Sequence, residues 1–246
     1  LKPIWEISFP HSLGLFYSAF TYYCGFKVNS GEYKLMGLAP YGKPIYAHKI
    51  KENLIDIKED GTFNLDTSFF KYHRGFRMTG RKFHSLFGRL PRKSESELSQ
   101  FHMDVAASVQ SVTEEIVLKL ARSLRKESGM KNLCLAGGVA LNCVANGLLL
   151  RENIFENIWI QPASGDAGSS LGAALISWYH YHKKERDVNK NDSMKGTFLG
   201  PEYSNDLIVQ YLNHIKATFY TYDDAELFEK LSLSLIHISE PTRHAS

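Results

Sequence analysis

The sequence lacks the features of a protein stabilised by disulfide bonds or by a structural metal, and those of a membrane-spanning protein. Its 246 residues include three cysteines, Cys24, Cys134 and Cys143, and no CxxC pair. An odd, widely spaced set gives no disulfide framework and no zinc site, and it favours a reducing compartment. No apolar run is long enough to cross a bilayer, and no signal peptide is visible. We therefore expect a cytoplasmic protein without a membrane partner.

The chain also carries little net charge. Its formal charge is +3, which is too small to argue for a nucleic-acid partner, and its 43% hydrophobic content indicates a globular protein with a sizeable core. The exception is the segment 71–93, which holds eight Lys or Arg residues and no Asp or Glu. Its poor periodicity predicts a loop or an irregular segment. Such a run is either a solvated surface or a receptor for an anionic substrate.

Both ends of the chain are unusual. The first residue is Leu1 rather than Met, so we expect the chain to start inside a longer protein. The stretch "LSLIHISEPTR", Leu233 to Arg243, resembles the translation of a transposase sequencing adapter. We predict that residues 232–246 are not native sequence, the alternative being a genuine strand-like tail.

The strongest helical pattern follows the basic segment. Ser94 and Glu97 have the spacing of a capping box, and Gly129 is placed to end the helix. Eight apolar residues mark one face over about eight turns. They are Leu98, Phe101, Val105, Val109, Val112, Ile116, Leu120 and Leu124.

Shorter elements surround this helix. A helix capped by Ser12 and ended by Gly25 is predicted near the start of the chain, followed by a hairpin around Asp60-Gly61. Strands are predicted at 132–136 and 157–161, a helix from about Val139 to Leu150 between them, and a helix packed through Gly and Ala after them. This order predicts an α/β layer with parallel strands.

Two glycines stand at the end of the first of these strands, in "CLAGGVALNC". Gly137 and Gly138 would let an anion approach the backbone at the positive end of the next helix. Asn142 could add an amide to a phosphate, a ribose or a metal-bound water. A bare turn explains the same pattern, so the turn alone does not decide between structure and nucleotide binding.

A carboxylate follows the second strand, in "GDAGSSLGAAL". Ligands of parallel α/β sheets gather beyond the carboxyl ends of the strands, so Asp166 would share a rim with the glycine turn. A carboxylate there can hold a divalent metal beside phosphates. Alternatively, Asp166 only caps the next helix, and Gly168 and Gly172 serve close packing.

Other polar residues are weaker candidates. In "GEYKLMGLAPYG", Glu32 could accept hydrogen bonds from ribose hydroxyls and Lys34 could neutralise a phosphate, although both would ordinarily face solvent. The role of His11 is open. His180 and His182 are two residues apart on a predicted helix, so they do not share a face and make a poor metal pair.

Four stretches together resemble one family. They are "FPHSLGLFYSAFTYYCGFKVNSGEYKLMGLAPYG", "CLAGGVALNCVANG", "IWIQPASGDAGSSLGAAL" and "FLGPEYS". Their order, over residues 5 to 205, is similar to that of the ATP-dependent O-carbamoyltransferases of nodulation-factor and antibiotic tailoring. The resemblance implies the α/β fold of sugar kinases, actin and Hsp70, with two ribonuclease-H-like lobes around a nucleotide cleft.

The resemblance also implies a domain organisation. Residues 1–197 would form the C-terminal portion of a catalytic domain like the tRNA threonylcarbamoyl transferase, incomplete at its N-terminus. Residues 198–231 would be a linker and the start of a truncated adenylate-forming domain. The family's metal-binding histidine pair and first nucleotide-binding loop would lie upstream of Leu1, so we expect the chain alone to be inactive.

The chemistry that the resemblance implies is a two-stage transfer. Carbamoyl phosphate and ATP would give carbamoyl-adenylate, and the carbamoyl group would then pass to a hydroxyl of a small-molecule or saccharide acceptor. Asp166 would bind iron, magnesium or manganese. The nucleotide would lie against Gly137, Gly138 and Asn142, in a cleft lined also by Glu32 and Lys34.

Three alternatives remain open. A sugar-kinase-like or acetate-kinase-like phosphotransferase of the same superfamily would release ADP rather than AMP. The tRNA-modifying transferase itself would need an RNA-binding surface, for which only the segment 71–93 is a candidate. A nucleotide-binding scaffold with a degenerate site would not catalyse any transfer.

Overall fold

The computed structural model describes residues 3–187, 191 and 194–239, and within them the chain forms nine α-helices and four short strands. The helices are α1 (Leu13–Tyr23), α2 (Glu32–Leu38), α3 (Ala47–Asn53), α4 (Arg81–Phe87), α5 (Gln100–Ser128), α6 (Cys143–Arg151), α7 (Asp166–Ile176), α8 (Asn205–His214) and α9 (Asp224–Ser239). The strands are β1 (Ile55–Ile57), β2 (Phe63–Leu65), β3 (Asn132–Leu135) and β4 (Asn157–Ile160).

Helix α1 is the centre of the larger of two apolar cores. The hydroxyl of Ser12 accepts the N–H of Leu15 at 3.2 Å, and Gly25 ends the helix with φ +77°, as predicted. Phe16 and Phe20 are fully buried. Around them α2, α3, α4, the first half of α5 and the β1–β2 hairpin bury the rest of this aromatic-rich core.

Helix α5 is the longest element, but it begins later than its sequence pattern predicts. The predicted capping box at Ser94 and Glu97 is wrong because Glu95 has φ +61°, which no helix tolerates. Instead Ser99 precedes the helix, and its N–H donates to Nδ1 of His102 at 3.0 Å. Gly129 ends the helix in the left-handed conformation, as predicted.

The first half of the chain contains one confirmed and one missed element. Strands β1 and β2 pair antiparallel across the predicted Asp60-Gly61 turn. The prediction that 71–93 is irregular throughout is wrong, because α4 lies within it. Phe83 and Phe87, one turn apart, are both buried in the core, and that burial stabilises a helix too short to stand alone.

Strands β3 and β4 form the predicted parallel pair, with Cys134 opposite Trp159. A second, smaller core lies under this pair, where Leu133 and Leu149 pack with Ala121 from the second half of α5. Helix α5 therefore contributes to both cores and connects the hairpin region to the parallel pair. The mixture of helices and small sheets is compatible with the predicted α/β class.

The helices that follow the two strands differ from their predicted forms. The predicted helix from Val139 is interrupted, because a 3₁₀ turn spans Gly138–Leu141 and α6 begins only at Cys143. The expected close packing of α7 through glycine holds at Gly168, where a Cβ would lie 2.5 Å from the carbonyl oxygen of Ala163, but it is wrong at Gly172. No residue of α7 is buried, and a Cβ at Gly172 would meet nothing within 4 Å.

The chain divides into two compact units between Asp187 and Val188. The second unit contains α8, which Ser204 caps, and α9. Residues 232–239 of the predicted non-native tail lie in α9, so the strand-like alternative is wrong for them, and residues 240–246 lie outside the described part. The assignment of 198–231 to an adenylate-forming domain stays a prediction. No helix in the described ranges is long and apolar enough to cross a membrane.

Candidate functional site

The tips of β3 and β4 meet at one edge of the parallel pair. Leu135 and Ile160 are opposite each other at the last paired position, and the chain leaves both strands in the same direction. Beyond them, the N–H of Gly137 donates to the carbonyl oxygen of Ser164 at 2.7 Å. The glycine turn and the "SGDAG" loop are therefore joined directly, as the parallel arrangement predicts.

The two glycines of the turn have different roles. Gly137 has φ +94°, a conformation that glycine adopts without strain, and its N–H is used by Ser164. The N–H groups of Gly138 and Val139 open the 3₁₀ turn, and no backbone carbonyl of the described residues accepts them. A Cβ at either glycine would meet nothing within 4 Å. The backbone of Gly138 therefore faces open space with a donor available.

Asp166 lies two residues beyond this junction and is the first residue of α7. Gly165 rather than Asp166 is the N-cap, so the interpretation of Asp166 as the cap is wrong. Its side chain is exposed to solvent. Gly168 has a packing role, since a Cβ there would lie 2.5 Å from the carbonyl oxygen of Ala163. A negative charge at this position is favoured by the helix dipole and remains accessible to a ligand.

Ser164 is a residue of this loop that sequence reasoning missed. It is 5% exposed, and its Oγ is buried without a hydrogen-bond partner among the described residues. A buried hydroxyl without a partner is costly, so it marks a place where a ligand or a water would be stabilising. In the sequence, Ser164 is marked only by its place in the loop motif that precedes Asp166. Its spacing from other polar residues gives no signal.

Asn142 holds the end of the glycine turn against α5. Its Oδ1 accepts the N–H of Ala145 at 3.0 Å and caps α6. Its amide also forms a reciprocal pair with the side chain of Gln110, at 3.1 Å and 3.0 Å. These contacts give Asn142 a structural role, and binding of the nucleotide by this residue stays a prediction.

Gln110 extends this polar contact into the core. It is 4% exposed, accepts a hydrogen bond from the hydroxyl of Tyr17 at 2.9 Å and donates to Glu114 at 2.8 Å. Burial, and secondly the charge of Glu114, raises the pKa of Tyr17, so the phenol stays protonated and remains a donor. Sequence reasoning missed Gln110 because it is not part of the apolar pattern of α5, and its burial depends on tertiary contacts.

The segment containing Glu32 and Lys34 borders the start of α6. Met36 of α2 lies 3.8 Å, sulfur to sulfur, from Cys143. A cavity of about 260 Å³ lies beside them, lined partly by Gln110 and Glu114. The segment is thus next to the start of α6, and its sharing of one cleft with the glycine turn stays a prediction.

The two charged side chains of that segment behave differently. Glu32 accepts hydrogen bonds from the hydroxyl of Ser18 at 2.7 Å and from the N–H groups of Asn29 and Gly31 at 3.0 and 3.2 Å. Glu32 therefore orders the entry to α2. Lys34 is exposed. No contact of the described residues brings either charge to the glycine turn, and their roles with a nucleotide stay predictions.

Among the described residues, the candidate histidines do not join a metal-binding group. Nδ1 of His11 accepts the N–H of Leu65 at 2.9 Å, which ties the start of α1 to the hairpin. This contact assigns His11 a structural role in the described fold. His180 and His182 lie in and directly after the π-helical turn Ser177–Tyr181.

A metal ion is implied by the family resemblance, and its fit can be judged from the side chains. Across the described ranges, no group of three or more His, Cys, Asp or Glu residues is placed to hold a metal ion. Asp166 offers one accessible carboxylate, and one carboxylate does not select a metal. The residues described here do not fit a complete metal site.

Comparison with known proteins gives a consistent result. The family described as "Carbamoyltransferase N-terminus" matches residues 1–175. An uncharacterised protein of Synechocystis is 58% identical over 234 residues, which cover 94% of this chain and 38% of that relative. The similarity therefore extends well beyond the site motifs.

Two nodulation proteins are also similar. NolO of Bradyrhizobium diazoefficiens is 37% identical over 205 residues, or 82% of this chain and 35% of NolO. NolNO of Sinorhizobium fredii is 33% identical over 212 residues, or 85% of this chain and 28% of NolNO. The chain thus spans between 28% and 38% of the length of these three relatives.

Proposed function

This chain belongs to the carbamoyltransferase family, and we propose that it forms part of an enzyme that transfers a carbamoyl group from carbamoyl-adenylate to an acceptor hydroxyl. The adenylate would be made from carbamoyl phosphate and ATP. The acceptor would be a small molecule or a saccharide, and the enzyme would act in the cytoplasm. The ribonuclease-H-like fold of sugar kinases and actin is part of the same proposal, since the parallel β3–β4 pair with α5 and α6 is compatible with one lobe of it.

The observation that carries the proposal is the junction of the two loops beyond β3 and β4. The bond from Gly137 to Ser164 fixes the loops together, and the N–H groups of Gly138 and Val139 remain available above it. Free N–H groups at the start of a helical turn bind phosphate without a side chain. The adenylate phosphate would therefore lie over Gly138, with the Asn142–Gln110 pair holding the turn in place.

The transfer itself is a substitution at the carbamoyl carbon. The acceptor oxygen forms a bond to that carbon, the bond to the phosphate oxygen breaks, and AMP leaves with the electron pair. The proton of the acceptor hydroxyl must pass to a base, which the described residues do not identify. The chain's own contribution is to hold the leaving phosphate, so that negative charge developing on it is stabilised by preorganised donors.

Asp166 is the second element of the proposal. Its exposed carboxylate at the loop junction would contact the reacting nucleotide, either through a cation or through the ribose hydroxyls. Because the described residues do not complete a metal site, no step is assigned to a metal here. Lys34 and Glu32 would border the same cleft from α2.

The proposal is tested with the full-length gene product. Incubation with carbamoyl phosphate, ATP and a panel of alcohols is expected to give an O-carbamate and AMP. Asp166→Asn should lower transfer strongly, whereas Asp187→Asn, which also removes an exposed carboxylate, should leave it unchanged. Release of ADP with a phosphorylated alcohol would instead establish a phosphotransferase, and equal activity of the two variants would remove Asp166 from the site.

A further inference from the structure

A second concave region lies away from the β3–β4 tips. It is an open cavity of about 960 Å³, formed by the end of α1, residues 68–84 and the Leu90-Pro91 stretch. Five Lys or Arg residues line it and no acidic residue does. They are Lys71, Arg74, Arg77, Arg81 and Lys82. We refer to it as the basic cavity.

A closed backbone frame builds one wall of the basic cavity. The N–H of Lys71 donates to the carbonyl of Met78, and that of Gly80 to the carbonyl of Phe69, both at 3.0 Å. The buried ring of Phe70 anchors this frame in the core. The loop between the two arms projects Arg74 and Arg77 toward the cavity, so the charges are carried by an anchored loop rather than by an isolated tail.

The cations of the basic cavity are largely unused by the fold. Lys82 contacts Asp66 at 3.3 Å and Ser68 at 2.6 Å. Among the described residues, none of the other four lining cations has a carboxylate within salt-bridge distance. An array of like charges without acidic partners is unfavourable, and a bound anion relieves it.

Two further arginines of the segment 71–93 do have contacts within the fold, unlike most of the cations that line the basic cavity. Arg89 lies over the ring of Phe101, 4.5 Å from its centroid, and Arg92 donates to the carbonyl of Cys24 at 2.6 Å. These two side chains stabilise the core and the loop entering α5. The fold therefore uses only some of the positive charges of 71–93, and those that line the basic cavity remain available.

Exposed apolar side chains form another part of the basic cavity and indicate that its ligand would carry an apolar or aromatic group. Phe76 is fully exposed at the cavity, and Leu90 is 77% exposed beside it. An exposed aromatic ring next to guanidinium groups suits a planar or apolar group bonded to phosphates. The cavity is concave and the whole chain carries only +3, which favours a small anionic ligand over a nucleic acid.

The basic cavity is separate from the glycine turn. At the beginning of α1, a Cβ at Gly14 would lie 3.6 Å from Val139, the residue after the glycines. At the other end of the same helix, Tyr22 lines the basic cavity. Eight helical residues separate the two positions, or about 12 Å along the axis.

From these observations we propose that the basic cavity binds a phosphate-bearing small molecule with an aromatic or apolar group, its phosphates held by Arg74 and Arg77 and its ring by Phe76. Guanidinium groups bind phosphate oxygens in pairs, which gives geometry as well as charge. The proposal does not depend on carbamoyl transfer and concerns residues that the proposed transfer site does not use.

Calorimetric titration with inorganic pyrophosphate and with ADP tests this site, in the 246-residue chain carrying Gly138→Ala, whose added methyl group would block phosphate binding at the glycine turn. Replacing both arginines, Arg74→Ala with Arg77→Ala, should raise the Kd for either probe by about tenfold or more, since each charge-assisted contact is lost. The matched control is Lys126→Ala with Arg151→Ala, which removes two exposed cations elsewhere. The control should bind both probes as the Gly138→Ala chain does.

Two further variants separate charge from shape. Arg74→Lys with Arg77→Lys keeps the charge and removes paired donors, so an intermediate Kd is expected. Phe76→Ala should raise the Kd for ADP by about fivefold and leave the Kd for pyrophosphate unchanged, because only ADP has a ring that can stack on Phe76.

Three outcomes would overturn the proposal. The first is an equal loss of affinity for the probes in the Arg74→Ala, Arg77→Ala double variant and in the matched control, which would show an unspecific charge effect. The second is unchanged binding in the arginine pair. The third is tighter binding of a single-stranded RNA oligonucleotide than of ADP, lost in the same variant, which would make the surface a nucleic-acid site. Circular dichroism of each variant confirms that it is folded.

Discussion

Gly137 and Gly138 differ in what an added methyl group would cost. Gly137 has φ +94°, so Gly137→Ala should lower the free energy of unfolding by about 1–2 kcal/mol. Gly138 has open space around it and a φ outside the left-handed region, so Gly138→Ala should change stability by less than about 0.5 kcal/mol. Denaturant unfolding measures both.

Nucleotide binding should separate the two variants further. If a phosphate lies against Gly138, the new methyl group occupies its place. In a chain that also carries Arg74→Ala and Arg77→Ala, which removes binding at the basic cavity, Gly138→Ala should lose adenine-nucleotide binding while remaining stable. Gly172→Ala is the matched control, because it too adds a methyl group where nothing lies within 4 Å. Normal nucleotide affinity in a stable Gly138→Ala protein would favour the bare-turn interpretation.

The three cysteines should differ sharply in reactivity. Cys24 is buried, and burial raises the pKa of its thiol to about 12, so almost no thiolate forms near neutral pH. Cys134 and Cys143 are exposed. A chromogenic disulfide reagent at pH 8 should therefore label two thiols in the native protein and the third only after unfolding. Rapid labelling of all three in native buffer would contradict the burial of Cys24.

At the scale of elements, the contact between α5 and the start of α6 depends on one amide pair. Asn142→Ala removes the cap of α6 and both hydrogen bonds between Asn142 and Gln110, which keeps its bonds to Tyr17 and Glu114, so it should cost about 1–3 kcal/mol of unfolding free energy. A double-mutant cycle with Gln110→Ala should give a coupling energy of about 1 kcal/mol. Strictly additive effects would show that the pair does not form in solution.

The packing of α1 against α4 offers a second test at this scale. Phe20 is fully buried, and its ring lies 5.2 Å from that of Phe83 and 5.9 Å from that of Phe87, centroid to centroid. Phe20→Ala should therefore cost about 3–5 kcal/mol. Phe76→Ala, at a fully exposed ring, should be close to neutral. Similar losses in both variants would contradict the described core.

Sequence pattern predicted the elements whose own residues determine them. Ser12 and Gly25 bound α1, Gly129 ends α5, and alternating apolar residues form the hairpin, because caps, left-handed glycines and periodicity act locally. The start of α5, the interrupted helix after Gly138 and the short α4 could not be predicted this way. They depend on the backbone of Glu95, on distant contacts and on burial.

The candidate site was predictable in position and not in detail. Parallel strands bring their carboxyl ends together, so the joining of the Gly137 turn to the loop before Asp166 followed from element order. The different roles of the two glycines and the hydrogen bonds of Gln110 depend on tertiary contacts. So does the burial of the Ser164 hydroxyl, which has no partner among the described residues. The roles of Glu32, Lys34 and Asn142 with a nucleotide stay predictions.

At the scale of the whole molecule, the chain should bind its ligand without completing a reaction. The described residues offer no three-ligand metal cluster, and the chain spans 28% to 38% of its relatives NolNO, NolO and the Synechocystis protein. The isolated 246-residue chain should therefore transfer no carbamoyl group from carbamoyl phosphate and ATP to any alcohol. Detection of an O-carbamate above the level without protein would overturn this prediction.

We infer that the loops after β3 and β4 jointly hold an adenine nucleotide. Amide chemical-shift mapping during an AMP titration of the chain measures this directly, because AMP carries the phosphate that would leave in carbamoyl transfer. We expect the largest shifts at Gly138, Val139 and Asp166, and we expect them to disappear in Gly138→Ala. Saturable AMP binding with no shifts at these three amides would contradict this inference.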